Sequence, residues 1–491
     1  MKIINEFIET TEEFVIDRLK EIDPLRNEKY SELNDITIAM LFVEVFEERL
    51  CFCPEKGQFL IFNGEKWGAE PKEIERLGQL FAKCMTDFTF NLPCSHELKK
   101  IAYKLTDLPR RTRLLKDVQP LCISKLSEFD AHFNLLNVKN GVINLETGEI
   151  QPHSVDYKFT KIANTEFVGL YKTYYDYDED IDEDRWRQFI DEIMSHDKEK
   201  ADYLQKILGY SLLGYKNEDK FWIFYGEKTR NGKSTLLEAV AGALGDYTSS
   251  AEPETFAIKK FNNASAPSED IARLAGCRFL RVSEPEKMMK LDVQKIKKLT
   301  GRDTTSARFL RQNSFEFTPN FSMYWAANSL PQINDLTIFK SNRVKVIPFE
   351  ESFGEESGKM DKSLRELFAS DYYRSVILSW LLEGCLKYQK EGLEEPEAVT
   401  NATAEYEKSS DSIASFISSC IKKSETYAAY ITAGAAFELY EDYCAAHGLL
   451  SEGKFLFFEK LRERGMITKE KYISGRKLKN VLYGFEYICF E

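Results

Sequence analysis

Much that would classify this chain of 491 residues at once is missing from it, and each absence narrows the field. No apolar run reaches the roughly 20 residues that a membrane-spanning helix needs, and no secretory leader is visible, so neither membrane partners nor export are expected. The ten cysteines follow no regular framework, which reads as a reduced, cytoplasmic protein rather than a disulfide scaffold. Cys51 and Cys53, with Cys84, Cys94 and His96 downstream, lack the spacing of roughly two to four residues between zinc ligands and read as buried thiols. A surplus of positive charge is also missing: 67 Lys and Arg against 80 Asp and Glu leave a net charge of −13. Contact with nucleic acid must therefore come from local basic clusters in an acidic body. Of the five histidines, His132, His153, His196 and His447 sit in unrelated contexts and none is paired with a nucleophile. Internal repeats and low-complexity tracts are absent.

What is present is apolar material for several cores, 43% hydrophobic and 13% aromatic residues, in a length that suggests about two to four domains. Seven acids between Asp176 and Asp184 mark one boundary, and "QKEGLEEPEAV" around Pro396 marks a second linker. Residues 1–180 then form an α+β domain. It holds two extended units, "LCFCPEKGQFLIFNGEKWGAE", turning at Gly57 and Asn63-Gly64, and "NLLNVKNGVINLETGEIQPHS", turning at Asn140-Gly141 and Thr147-Gly148. Residues 186–395 alternate amphipathic helices with short apolar strands, the pattern of an α/β layer. Residues 405–491 read as two helices followed by a two-stranded wing around Ser474-Gly475, a winged-helix-like module.

The chemistry concentrates in "FWIFYGEKTRNGKSTLLEAVAGALGD". An apolar strand runs into a glycine-bearing turn, then Gly-Lys-Ser-Thr, then a helix. Five residues separate Gly226 from Gly232, one more than in the usual phosphate loop, yet Gly232, Lys233 and Ser234 keep their relation to the helix. Backbone N–H groups around Asn231 and Gly232 would line a concavity for phosphate oxygens, reinforced by the helix N-terminus. Lys233 would reach the terminal phosphates and the Ser234 hydroxyl would ligate Mg²⁺. Gly226, Asn231, Gly232, Lys233, Ser234 and Thr235 are thus the candidate nucleotide site, with ATP and Mg²⁺ as cofactors. Further on, "RFLRVSEPE" is a strand ending in Glu284 and Glu286, where a carboxylate can sit near Mg²⁺ and orient a water. "FSMYWAAN" is a strand ending in Asn328, and "NRVKVIPF" sets Arg343 just before another.

The order of these motifs, with "KKLTGRDTTSARFL" and "AANSLP" between them, resembles the superfamily 3 helicases, in particular the helicase half of the phage, plasmid and poxvirus primase-helicase family. The two extended units before the motor resemble the preceding domain of that family, so the likeness covers most of residues 35 to 350. It implies an AAA+-type P-loop ATPase core and a homo-hexameric ring moving 3′ to 5′ on single-stranded and forked DNA, encoded by a phage or mobile element and working in a bacterial host. Glu284 matches the acid of the second motif, with Mg²⁺ beside it. Ser283 stands where many relatives carry a second acid, which leaves Glu286 open as a substitute. Asn328 matches the γ-phosphate sensor, and Arg343 the finger that enters the neighbouring subunit's site. About 185 residues precede the motor and match the accessory domain, so priming by this chain is not expected.

Between Lys287 and Arg311 the sequence holds eight basic and two acidic residues, a local charge of +6. Lys295 and Lys298 share a helix face, and Arg308 and Arg311 bracket the tip of a hairpin that the resemblance aims into the ring's channel. Phe309-Leu310 stand where relatives often place lysine or histidine. From Ser451 to Glu491 there are nine basic and six acidic residues. There Lys454, Lys460, Arg464, Arg476 and Lys477 could contact duplex DNA; the module could equally stabilise the ring or dock host replication proteins. An alternative function is a replication initiator that recognises and melts origin duplex through this module. A small-molecule kinase using the same loop is a third reading.

Overall fold

The computed structural model describes residues 11–30, 32–47, 49–70, 72–91, 94, 96–170, 185–258, 268–287, 289–310, 314–354, 361–426, 429–449, 451–473 and 476–488. Helices α1 (Glu12–Ile22), α2 (Asp35–Val45), α3 (Glu73–Phe90), α4 (His96–Lys104) and α5 (Leu108–Val118) gather around Leu41, Phe42, Phe81 and Val118. The entry to α2 is set by a capping box: Asn34 Oδ1 accepts from the N–H groups of Ile36 and Thr37, and the Thr37 hydroxyl accepts from Asn34 N–H. The first extended unit is an antiparallel meander of β1 (Leu50–Cys53), β2 (Gln58–Phe62) and β3 (Trp67–Gly68). Cys51 and Cys53 are buried in it, and burial pushes the Cys51 thiol up to about 12. The second unit is the meander β4 (Leu135–Val138), β5 (Gly141–Asn144) and β6 (Ile150–Gln151), with Val138 paired to Gly141 across the expected tight turn.

Helices α6 (Arg185–Ile193) and α7 (Lys198–Tyr210) lead into β7 (Phe221–Tyr225), followed by α8 (Lys233–Leu244), β8 (Thr248–Ala251) and β9 (Phe279–Val282). Then come α9 (Val293–Thr300), the hairpin β10 (Thr305–Ala307) and β11 (Phe315–Phe317), β12 (Ser322–Ala327) and β13 (Val344–Pro348). Strands β13-β7-β12-β9-β8 form one sheet, parallel throughout. A parallel strand buried on both faces needs apolar residues at every position, which explains the unbroken "FWIF" of β7. Successive side chains alternate between two cores. Trp222 and Phe224 pack with Phe279, Tyr324 and Ile347 on one face, and Phe221 and Ile223 with Met323, Trp325 and Val346 on the other. Helices α6, α7, α8 and α10 (Asp371–Glu391) cover the first face. Helices α9 and α11 (Glu397–Ser410) cover the second. The core is thus a mixed α/β fold built on a parallel sheet.

Around Pro396 the expected linker is confined to residues 392–396, because α11 turns back along β13: Val346 N–H donates to Thr403 Oγ1 at 3.0 Å, and the Tyr406 hydroxyl donates to Pro331 O. The chain ends in α12 (Ser412–Cys420), β14 (Ile421–Lys423), β15 (Tyr430–Thr432), α13 (Ala433–Ala446), α14 (Lys454–Glu463), β16 (Thr468–Ile473), β17 (Arg476–Tyr483) and β18 (Phe485–Tyr487). These share a core of Phe416, Tyr440, Phe457 and Leu461. The two helices and the β16–β17 pair are where the sequence places them, with Ser474 and Gly475 outside the described residues. The structure enlarges the two-stranded wing, because β15, ahead of the helices, pairs with β17 and makes a three-stranded sheet.

The cover over the first face depends on two glycines. Where α7 crosses α10, a Cβ on Gly209 would sit 2.3 Å from Cys385 N, and one on Gly384 would sit 2.2 Å from Gln205 O. Backbone meets backbone there, so neither helix can retreat without losing the Gln205 Nε2 hydrogen bond to Trp380 O at 3.0 Å. Gly384→Ala is expected to lower stability by about 1–3 kcal/mol in denaturant unfolding. Gly242→Ala in α8, whose Cβ would find only Arg374 Nε at 3.8 Å, should instead be neutral or stabilise by about 0.5–1 kcal/mol.

Candidate functional site

Because β7, β9 and β12 are parallel neighbours, the residues that follow them emerge side by side at the carboxyl end of the strands. Gly226 follows β7. A Cβ there would lie 2.4 Å from Phe349 O and 2.2 Å from Asn231 Nδ2, so only glycine admits the loop. The loop closes on itself through Asn231, whose buried Nδ2 donates to Lys228 O at 2.8 Å. The segment after β13 straps it from outside: Phe353 N–H donates to Arg230 O at 2.8 Å and Ser352 Oγ to Thr229 O at 3.1 Å. Gly232, at φ +84°, turns the chain into α8, and a Cβ on it would strike Ile193 Cγ2 at 2.5 Å. No side chain caps the helix start, so its first N–H groups face the loop without an intrahelical partner.

Lys233 is 5% exposed. Its ammonium donates to Asn328 Oδ1 at 2.7 Å and to Gly226 O at 3.3 Å, and forms no ion pair among the described residues. Burial brings its pKa down to about 8, partly opposed by the negative charge of Glu284. Asn328 joins the two charges. Its Nδ2 donates to Glu284 Oε2 at 2.9 Å and its N–H to Glu284 Oε1 at 3.2 Å. Only one orientation of the Asn328 amide sets oxygen toward the ammonium and nitrogen toward the carboxylate. Glu284 is the carboxylate in this chain of contacts, while Glu286, open as a substitute for the second acid absent at Ser283, is exposed and outside it. Ser234 is exposed in the first turn of α8 and Thr235 is half-buried beside it. A buried cation without a carboxylate partner, next to an uncapped helix N-terminus, suits a polyphosphate. The Ser234 hydroxyl and the Glu284 carboxylate are hard oxygen donors of the kind Mg²⁺ takes.

Arg343 precedes β13 and lies at the amino end of the strands, so the structure does not join it to Lys233, Asn328 and Glu284 of its own chain. It is held by Asp219 at 3.2 Å, Thr300 Oγ1 at 3.0 Å and Lys297 O at 3.3 Å. Beside it Lys216 is buried, donating to Leu299 O at 2.7 Å and lying 4.9 Å over the Phe321 ring; burial pushes its ammonium down to about 7. Two cations therefore grip the C-terminal carbonyls of α9, where the helix dipole favours positive charge. Sequence reasoning passed over Asp219 and Lys216. Their contacts are 124 and 83 positions away, and no local spacing signals them.

Lys298 is exposed on α9. Arg308 follows β10, half-buried, its N–H donating to Ser268 Oγ at 3.1 Å, and Arg311 lies outside the described residues. Phe309 stacks on Phe315 at 5.8 Å, which leaves Leu310, 61% exposed, beside it. In the C-terminal part, Lys454 lies 5.5 Å over the Phe437 ring and Lys477 pairs with Glu470 at 2.7 Å. Lys460 and Arg464 are engaged by Glu452 and Asp411. Among the described residues no helix is long and apolar enough to cross a membrane.

The domain family described as "D5 N terminal like" matches residues 39–195, and a "Family of unknown function (DUF5906)" matches residues 224–343. "Putative helicase L207/L206" of Acanthamoeba polyphaga mimivirus is 28% identical over 308 residues, which is 60% of this chain and 31% of that protein. "Putative helicase 022R" of Frog virus 3 (isolate Goorha) is 26% identical over 255 residues, 48% of this chain and 26% of that protein. The chain thus spans about a third or less of the length of these curated relatives. The apo structure of the NrS-1 C terminal region (305-718) shares the fold at a TM-score of 0.52 and 10% identity, covering 92% of this chain and all of that one. Residues 39–195 thus resemble the D5 N-terminal-like domain, the chain is similar over part of its length to viral proteins named putative helicases, and it shares the fold of the NrS-1 C terminal region.

Proposed function

We propose that the chain is an ATP-driven DNA helicase of a phage or mobile element, assembled as a ring of identical subunits, a hexamer, and moving 3′ to 5′ on single-stranded DNA in a bacterial host. The observation that carries this reading is the hydrogen-bonded line Lys233–Asn328–Glu284 across the ends of adjacent parallel strands. The N–H groups after Asn231 and Gly232, with Lys233, would hold the phosphates, while Ser234 and Glu284 would hold Mg²⁺; Thr235 extends the same turn. ATP with Mg²⁺ supplies the phosphoanhydride whose cleavage drives movement. Glu284 orients a water and accepts its proton. Asn328 holds Lys233 through one atom and Glu284 through the other, so a change at the phosphate end is felt at the carboxylate. Arg343, caged by Asp219 and Thr300, serves the neighbouring subunit's site.

On this reading residues 186–395 together with α11 are the P-loop, AAA+-type motor, residues 1–180 an accessory domain, and the winged-helix-like module expected over 405–491 begins after α11. Lys298, Arg308 and Arg311 contact the strand inside the ring. A second reading, an initiator that binds origin duplex through the C-terminal module with Lys454 and Lys477, is favoured by the exposure of Tyr472 on β16 (71%) next to the hairpin pair. Sequence-selective duplex binding that survives deletion of residues 411–491 would exclude it.

The deciding experiment measures ATP hydrolysis and strand displacement on forks with 3′ or 5′ tails, for wild type, Lys233→Ala and Arg343→Ala, alone and mixed. DNA-stimulated turnover, unwinding from the 3′ tail and a fall of roughly a hundredfold or more in each variant are expected, with either variant poisoning wild type in mixtures. Turnover indifferent to DNA, with mixtures that add independently, would sink the motor. A pH series tests Lys233 itself. Its folded pKa lies below the ordinary 10.5, so the unliganded site loses its positive charge as pH rises through about 8. ATP affinity should therefore fall between pH 7 and pH 9, and Lys233→Arg, which stays charged, should remove that slope while changing the affinity itself.

A further inference from the structure

Helices α4 and α5 carry a cationic surface that the site above does not use. From His96 to Val118 there are seven basic and three acidic residues, a local excess of four in a chain of −13. Lys100 and Lys104 are exposed, one helical turn apart on α4, and neither forms an ion pair among the described residues. Tyr103, one helical turn after Lys100 and so its neighbour on the helix surface, is 61% exposed. Arg110 and Arg113 converge on one carboxylate, Asp35, at 2.8 and 3.8 Å, so that one negative charge is shared by two guanidinium groups. Lys104, Arg110 and Arg113, with the carboxylates Asp35 and Asp117, line a groove of about 480 Å³ between the start of α2 and the α4–α5 pair, together with Ile38, Ile101 and Leu114.

Exposed lysines that form no ion pair among the described residues suit a polyanion, and an exposed aromatic ring beside Lys100 suits something flat. An acidic protein segment satisfies the lysines and leaves the ring in water. A nucleic-acid strand satisfies both, because its phosphates repeat along the chain and every base has a face to stack. We propose that α4 and α5 form a second contact for single-stranded DNA, with phosphates on Lys100 and Lys104, further phosphates along the Arg110–Arg113 rim, and a base stacked on Tyr103. This contact is separate from the loop at Lys233 and from the β10–β11 hairpin, and needs no nucleotide. It rests on the reading that DNA is the substrate.

The test is fluorescence anisotropy of a labelled oligothymidylate on the full chain, without nucleotide, across a series of salt concentrations. The double variant Lys100→Glu, Lys104→Glu should bind on the order of tenfold more weakly, and its slope of log affinity against log salt should be shallower by about 1. Tyr103→Ala should lose roughly fivefold or more with the slope unchanged, since stacking displaces no counterions. Both variants replace exposed side chains, and an unchanged thermal midpoint confirms that they fold. Wild-type affinity and slope in the double variant would overturn the inference and leave the surface to an acidic protein partner. A wild-type chain that binds no oligonucleotide would overturn the proposed function along with it.

Discussion

Everything at the candidate site depends on β12 lying between β7 and β9 with all three strands pointing the same way. The pairing of Met323 with Phe221 and with Leu280 sets where each strand stops, and hence where Gly226, Glu284 and Asn328 emerge. Such a strand can exist only with both faces covered, because its backbone is satisfied by its neighbours and every side chain must find apolar company. The cover is therefore part of the site. The close crossing of α7 and α10 at Gly209 and Gly384 seals one face, while α9 and α11 seal the other.

The two ends of the strands are chemically distinct. At one, a buried ammonium, an amide and a carboxylate stand in line, ready for an anion and a hard cation. At the other, Arg343 and Lys216 hold the last carbonyls of α9, the helix that bears Lys298 and runs on into the β10–β11 hairpin. A residue proposed to serve a neighbouring subunit is thus also a fastening of the element proposed to touch DNA. Asp219 ties the arrangement to the segment just before β7. Arg343 is thus joined by direct contacts to the end of α9, which runs on into the hairpin.

Much of this was legible in order along the chain. The unbroken apolar strand before Gly226, the glycine-lysine-serine turn, and the strands ending in Glu284 and Asn328 are local signals, and the structure places those strands where their pattern implies. Less legible was whatever depends on partners far along the chain. The segment around Pro396 reads as a linker because glutamates and prolines are local breakers, yet α11 returns to cover β13, which only Val399, Thr403 and Tyr406 on their buried side reveal. The wing reads as two strands because β15 is three residues long and lies ahead of the helices. Asp219 and Lys216 are ordinary charged residues in sequence.

Alone, the sequence determined which segments are strands buried on both faces, which turn must be glycine, and which side chains can carry charge to the strand ends, because apolar runs, turn residues and titratable groups act locally. Only the tertiary structure decided that Asn328 lies between Lys233 and Glu284, that Glu286 stays outside that line, and that Arg343 stands at the opposite end of the strands against α9. Those outcomes follow from strand order and register, which are settled when distant segments compete for the same buried surface, and no local pattern in the chain carries that information.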